Sequence, residues 1–252
     1  MQLTAYHDRY ASIRMARGDD GVLTLTLHTR GGPALWGTSE ASLHNELGLA
    51  CADIARDPET KVILITGTGD SFIAGMDRDD RAPETSLATM WPRILREGVA
   101  LIEGLLGLPV PVIAAVNGPA LIHAEIAVLA DIVLAAEHAE FADIAHVAGG
   151  AVPGDGVQVV WPMLLGPNRG RYFLLTGERI GADEARRLGI VGEVLAAEAL
   201  LPRARALAAQ LAKLPVQTLR HTRAVLVRDL RRRMREELDL GLAAEALATL
   251  TG

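Results

Sequence analysis

His146 and Asp155 are the two residues of this chain whose types and spacing most directly suggest chemistry. They stand at either side of residues 146–156, HVAGGAVPGDG, a segment rich in turn-forming glycine and proline and almost free of other charge. An imidazole near a carboxylate is what proton transfer close to neutral pH requires. The glycines at 149, 150 and 154 and Pro153 allow the chain to fold back, so the two side chains can converge. The competing reading is a plain turn in which Asp155 caps the helix that follows.

Other residues of the same chemical kind are spread along the chain. Trp36 follows the turn residues 31–34, GGPA; His44 borders an apolar helical face; His123 sits between apolar residues; and Glu245 lies on the last amphipathic helical stretch. Each has a purely structural alternative: a packed indole, a half-buried helix histidine, a hydrogen-bonded core histidine and a surface carboxylate. His7, His28, His138 and His221 belong to no such pattern and are read as structural.

Composition removes several classes of function. The chain has 252 residues, 50% hydrophobic and 22% charged, with a net charge of -6. That balance gives no basic face for nucleic acid. Cys51 is the single cysteine, so no intrachain disulfide or thiolate metal cluster is available. No His-x-x-x-His spacing occurs, and no metal is expected. The two lysines, Lys61 and Lys213, lack the setting of a Schiff-base nucleophile. Phosphate-binding glycine loops are missing, and no cofactor is expected. The first residues carry no apolar signal core, and no run approaches the ~18 apolar residues of a membrane span. A cytoplasmic protein with no membrane partner is the expectation.

The elements that must position these side chains alternate between strand and helix. Residues 21–28 alternate at period two, as a strand does. Residues 39–56 read as a helix with Leu43, Leu47, Ala50, Cys51 and Ile54 on one face, capped by Thr38 or Ser39. Continuous apolar runs at 62–65, 112–116 and 132–134 read as buried strands, with helices near 87–106 and 124–130 between them. The pattern predicts an α/β fold. Beyond Ala182 it is almost wholly helical, broken at 189–192 and at Pro215. Seven arginines there, from Arg220 to Arg235, read as a solvated or intersubunit ion-pair surface, with an anion site as the alternative.

Several segments together resemble the crotonase (enoyl-CoA hydratase/isomerase) superfamily. They are residues 62–77, VILITGTGDSFIAGMD; 109–120, PVPVIAAVNGPA; 131–136, DIVLAA, with Phe141; 175–185, LTGERIGADEA; and 188–194, LGIVGEV. The resemblance implies a ββα spiral core over residues 1–195 and a C-terminal helical trimerisation subdomain over 196–252, assembled as trimers or dimers of trimers. It also implies an oxyanion hole of two backbone N–H groups, one of them that of Met76 and the other in the loop after Asn117 and Gly118. In the family that loop carries consecutive glycines. Here it reads PALIHAE over 119–125, with His123 in their place, which counts against CoA-thioester chemistry.

The departures resemble one branch of the family, that of 6-oxocamphor hydrolase, which cleaves cyclic β-diketones without CoA. Leu35, Trp36, Thr38 and the HNEL of 44–47 match it, as do His123, His146, the VPGDG of 152–156, the VVWP of 159–162, the GPNRGRYFLLTG of 166–177 and the LGLAAEAL of 240–247. Residues 76–90 diverge. The resemblance implies His146, Asp155, Glu245, His123 and His44 as catalytic and Trp36 and Met76 as substrate-binding, with a small cyclic diketone as the partner. A retro-Claisen hydrolysis needs a base for water, donors for two successive anions and an acid for the enolate carbon. Asp155 would orient His146, Glu245 would handle water, and Trp36 and His123 would donate to charged oxygens, with the order of roles open. Two rivals remain: an acyl-CoA hydratase or isomerase using the Met76 N–H with Glu125 or Asp155, and a non-catalytic scaffold of the same fold.

Overall fold

A computed structural model describes residues 1–80 and 86–251. The strands are β1 (Ile13–Arg17), β2 (Val22–Leu27), β3 (Leu35–Trp36), β4 (Val62–Gly67), β5 (Gly75–Met76), β6 (Val112–Val116), β7 (Ile132–Ala136), β8 (Glu140–Phe141), β9 (Ile180–Gly181) and β10 (Glu193–Leu195). The helices are α1 (Leu43–Ile54), α2 (Leu87–Gly107), α3 (Glu125–Val128), α4 (Val157–Leu165), α5 (Pro167–Thr176), α6 (Ala182–Arg187), α7 (Ala197–Ala212), α8 (Val216–Leu226) and α9 (Arg228–Thr251). The main sheet runs β1-β2-β4-β6-β7-β10, antiparallel only between β1 and β2.

Each turn of the spiral is a long strand, a short strand in a second layer, and a helix: β2-β3-α1, β4-β5-α2 and β7-β8-α4. In the β6 turn the short strand shrinks to Ala120, which bridges both Ile73 and Phe141. The alternation of patterns predicts an α/β fold, and its spiral form is the crotonase architecture that the family resemblance implies.

The period-two pattern of β2 sends Leu23, Leu25 and Leu27 into the interior of the spiral, with Ile63, Ile65, Ala114 and Val116 beside them. The opposite face, formed by Val22, Val62, Leu64, Ile113, Ala115 and Leu134, is covered by α7 through Leu200, Ala204, Ala208 and Ala212. Their four-residue spacing puts them on one stripe of the helix. Burial on both faces is why β4 and β6 read as unbroken apolar runs.

Arg223 of α8 ties the helical end to the core. It is buried, donates to the carbonyls of Leu105, Leu106 and Leu108 at the end of α2, and pairs with Asp131 at 2.7 Å. The free carbonyls at a helix C-terminus favour such a cation. Arg232, Arg233 and Arg235 lie on an exposed face, whereas Arg220 and Arg231 are half-buried. Arg232 and Arg233 pair with Asp229 and Glu236 within α9, and Arg235 pairs with Glu103.

Two local expectations change. The helix expected from residue 39 begins at Leu43, with Ser42 as its cap, because Asp80 accepts from the N–H groups of Thr38 (2.7 Å) and Ser39 (2.9 Å) and holds them in a turn. The stretch after Ala182 contains strand β10, whose residues pair in parallel with Leu134, Ala135 and Ala136 on the sheet edge. Strands β3, β5, β8 and β9 are too short to show a period. Residues 81–85, part of the divergent segment 76–90, lie outside the described residues.

Candidate active site

A cavity of about 620 Å³ opens where the short second-layer strands meet α2 and α9. Trp36, at the end of β3, and Met76, on β5, are side by side in register. His44 comes from the first turn of α1, Trp91 and Ile94 from α2, His123 from the loop after β6, His146 and Asp155 from the loop between β8 and α4, and Glu245 from α9. All seven site residues read from the sequence line this one cavity. Met76 is half-exposed at its edge; Trp36, His44, His146 and Asp155 are buried.

Asp155 stands between two imidazoles. Its Oδ2 lies 2.7 Å from His123 Nδ1 and 3.4 Å from His146 Nε2. The tighter pairing is with His123, and the carboxylate that holds His146 most closely is Asp143, whose Oδ1 accepts from Nδ1 at 2.6 Å. His123 Nδ1 also lies 2.8 Å from Glu125 Oε1. Glu125 and Asp143 are 1% and 2% exposed, so both are interior carboxylates with imidazole partners. The sequence reading left Asp143 out and gave Glu125 only to the CoA rival. The available signals were their short offsets from histidine, Asp143 three before His146 and Glu125 two after His123.

His123 adopts φ of 50°, one of two non-glycine residues in the left-handed region among those described. The strained backbone turns its ring onto Trp36, with ring centres 3.9 Å apart and planes tilted by 31°. It meets His146 edge-on at 5.5 Å. An indole face beside an imidazolium adds an attractive cation–π contact.

Burial alone would pull the His123 imidazole down, but the Glu125 and Asp155 carboxylates overcome it and hold the group up at about 10. His146 is likewise opposed by burial and raised to about 12 by Asp155 and Asp143. Burial tends to raise Asp155, yet the two histidines hold it well below the usual carboxylate range. Both imidazoles are therefore cationic donors at neutral pH, on either side of a fixed anion. Glu245 is different: burial, then the Asp155 charge, raises it to about 7. His44 is pushed down to about 4 by burial and by the charge on His123, so it is neutral. Its Nε2–H donates to the Ile94 carbonyl at 3.2 Å, which leaves it a positioned, uncharged ring.

Among the described residues, Asp155 Oδ1 and Glu245 Oε2 are buried without a hydrogen-bond partner. Such atoms are costly in isolation, and active sites are where that cost is found. The fold also gathers a metal-ligand set that sequence spacing did not reveal, one atom each from His123, His146 and Asp155, all within 4.8 Å of one another. Within this set, His123 Nδ1 lies 2.7 Å and His146 Nε2 3.4 Å from Asp155 Oδ2, while His146 Nδ1 and His123 Nδ1 also face Asp143 and Glu125 at 2.6 and 2.8 Å, so the ligand atoms nearest one another are already engaged in ion pairs.

Residues 18–246 match the enoyl-CoA hydratase/isomerase family model, and the chain belongs to that family. Among solved structures it is similar to a β-diketone hydrolase from the cyanobacterium Anabaena sp. PCC 7120 bound to (S)-3-oxocyclohexyl acetic acid, with 39% identity, 96% of each chain covered and a TM-score of 0.90. It also resembles an enoyl-CoA hydratase/isomerase from Mycobacterium paratuberculosis, at 31% identity over 96% of this chain and 94% of that one, TM-score 0.83. Carnitinyl-CoA dehydratase of Citrobacter koseri is 36% identical over 201 residues, 74% of each chain. Among the described residues, no helix is long and apolar enough to cross a membrane.

Proposed function

We propose that the protein hydrolyses the C–C bond of a cyclic, bicyclic-type β-diketone by a retro-Claisen reaction that gives a keto acid, without CoA, metal or other cofactor. The observation that carries this reading is the pair of imidazoles, His123 and His146, flanking one buried carboxylate in a cavity that also holds Glu245. Two donors suit a substrate with two carbonyl oxygens, each of which becomes anionic in turn.

The Glu245 carboxylate takes a proton from water while the water oxygen bonds to one carbonyl carbon. The displaced π pair goes to the carbonyl oxygen, and His123, supported by the Trp36 N–H, donates to that oxyanion. Collapse restores the C=O of a carboxylic acid and breaks the C–C bond, whose electron pair passes into the second carbonyl as an enolate. His146 Nε2–H donates to the enolate oxygen. The Glu245 carboxyl returns its proton to the enolate carbon, so the sum is substrate plus water. Asp155 keeps both imidazoles charged, and His44 supports Trp36 through an edge-on ring contact of 5.6 Å.

The keto acid bound to the Anabaena hydrolase supports the substrate class. Adding water across one C–C bond of bicyclo[2.2.2]octane-2,6-dione gives the 3-oxocyclohexyl acetic acid skeleton. Ile94, Ile122, Ile144 and Leu242 offer the apolar wall such a skeleton requires.

Assembly as a trimer or a dimer of trimers belongs to the same reading, with the helices beyond residue 195 as the assembly region. Exposed Val225, Leu226, Leu240 and Leu247 on α8 and α9 support it, since apolar surface of this kind favours a partner. Sedimentation at micromolar concentration tests it, and a strict monomer refutes it.

Incubation with bicyclo[2.2.2]octane-2,6-dione or 6-oxocamphor, and separately with crotonyl-CoA, tests the function. Keto acid formation is the expected result. Strong turnover of the thioester with none of any diketone overturns the reading in favour of a CoA hydratase or isomerase.

A further inference from the structure

We infer that Asp143 is the residue that positions His146, fixing Nδ1 as a donor and leaving Nε2 as the nitrogen that works in the cavity. The kinetic part of this inference rests on the diketone hydrolase reading; the structural part does not.

The loop that carries both residues is pinned on either side of Asp143. Ala142 N–H donates to the Ala120 carbonyl at 3.1 Å, and Ile144 N–H donates to the Leu121 carbonyl at 3.1 Å. Beyond them, the His146 carbonyl accepts from the N–H groups of Gly149 (2.8 Å) and Ala151 (2.9 Å). The backbone thus fixes where both side chains start. They meet in the interior, each 2% exposed, at 2.6 Å between Oδ1 and Nδ1.

A carboxylate only accepts, so the nitrogen facing it must carry a proton. With Nδ1 committed to Asp143, the ring can act only through Nε2. That nitrogen lies 3.4 Å from Asp155 Oδ2, an oxygen already paired at 2.7 Å with His123. Nε2 is therefore less tightly bound than Nδ1 and free to turn to a substrate oxygen. The two carboxylates divide the work: Asp143 fixes the ring, and Asp155 supplies charge shared with His123. The other titratable groups facing His146 are His123, edge-on at 5.5 Å, and Glu245 across the cavity. The high proton affinity of His146 is consistent with two flanking carboxylates.

The test combines nitrogen-15 NMR of the histidines with kinetics of Asp143→Asn and Asp143→Glu. In the unmodified protein a downfield His146 Nδ1 proton is expected, assigned by its loss in His146→Gln, and it should persist across neutral pH. Asp143→Asn should shift that resonance upfield, make His146 titrate at lower pH, and lower kcat on the diketone by on the order of 10²–10⁴-fold with little change in KM. Asp143→Glu should recover part of the loss. An unmodified protein whose His146 Nδ1 bears no proton overturns the inference even if Asp143→Asn does not fold. A folded Asp143→Asn variant with unchanged resonance and unchanged kcat overturns it too. The NMR arm needs no substrate, so a protein that holds the Nδ1 proton but hydrolyses no diketone counts against the function alone.

Discussion

Gly154 and Gly241 are packed backbone to backbone: a Cβ on either would collide with the carbonyl oxygen of the other. Asp155 follows the first glycine, and Glu245 lies one helical turn beyond the second. The contact therefore seats α9 against the loop before α4 and brings the two carboxylates to one cavity.

Gly241→Ala is expected to displace α9 and cost ~1–3 kcal/mol of stability, the range for an overpacked interior. Because Glu245 moves with the helix, kcat should fall by more than stability alone explains. Denaturant midpoints and diketone kinetics on the same preparation check this. A variant of normal stability and normal kcat refutes the positioning role of the glycine pair.

Asp155→Asn keeps the shape of the side chain but removes the charge that His123 and His146 share. A loss of about 10²–10⁴-fold in kcat is expected, the scale of an acid–base contribution. His138→Ala, a change at an exposed histidine outside this cavity, should be near neutral and serves as the control. Full hydrolysis by Asp155→Asn would leave His123 and Glu245 to carry the proton transfers without it.

The pH profile follows from three groups. Glu245 works as a base in its charged form, and its affinity for protons is raised to about 7, so activity should rise as pH increases through about 7. His123 works in its protonated form and releases its proton at about 10, so activity should fall as pH increases through about 10. His146, raised to about 12, stays charged throughout this window. Glu245→Gln should slow turnover and abolish the acid limb. Retention of that limb in Glu245→Gln would assign it to another group.

Trp36 can act as a stacked face, as an N–H donor, or as both. Trp36→Phe keeps a ring beside His123 and removes the N–H; Trp36→Ala removes both. Because the N–H supports the oxyanion, Trp36→Phe should lower kcat by roughly 10-fold, the worth of about one hydrogen bond. A near-normal Trp36→Phe with an impaired Trp36→Ala would assign the role to the stacked face alone. Steady-state kinetics of the two variants separates these outcomes.

Exhaustive chelation is expected to leave diketone hydrolysis intact, since Asp155 pairs with His123 at 2.7 Å and His146 is held by Asp143 at 2.6 Å, which engages these side chains with one another. Loss of activity on chelation, restored by a divalent cation, would make that triad a metal centre.

The sequence by itself determined the α/β class and its main elements, and the family resemblance supplied the spiral arrangement. Period-two alternation over 21–28, buried runs at 62–65 and 112–116 and the apolar face of α1 are local signals that side-chain burial enforces, and the fold follows them. It also named the residue types of the site: an imidazole in a glycine-rich segment, as at His146, is visible without coordinates, and the resemblance to the crotonase branch pointed to the others. What it could not fix was pairing. Asp155 lies nine residues from His146 and 32 from His123 along the chain, yet its closer contact is with His123. That choice depends on how the loop after β6 meets the loop before α4, which tertiary packing alone decides. Asp143 was passed over for a related reason: an aspartate three residues from a histidine is common, and only burial of both side chains turns the spacing into a working pair. The elevated Glu245 likewise depends on α9 being pressed against residue 154, since desolvation by distant parts of the chain has no signature in local sequence.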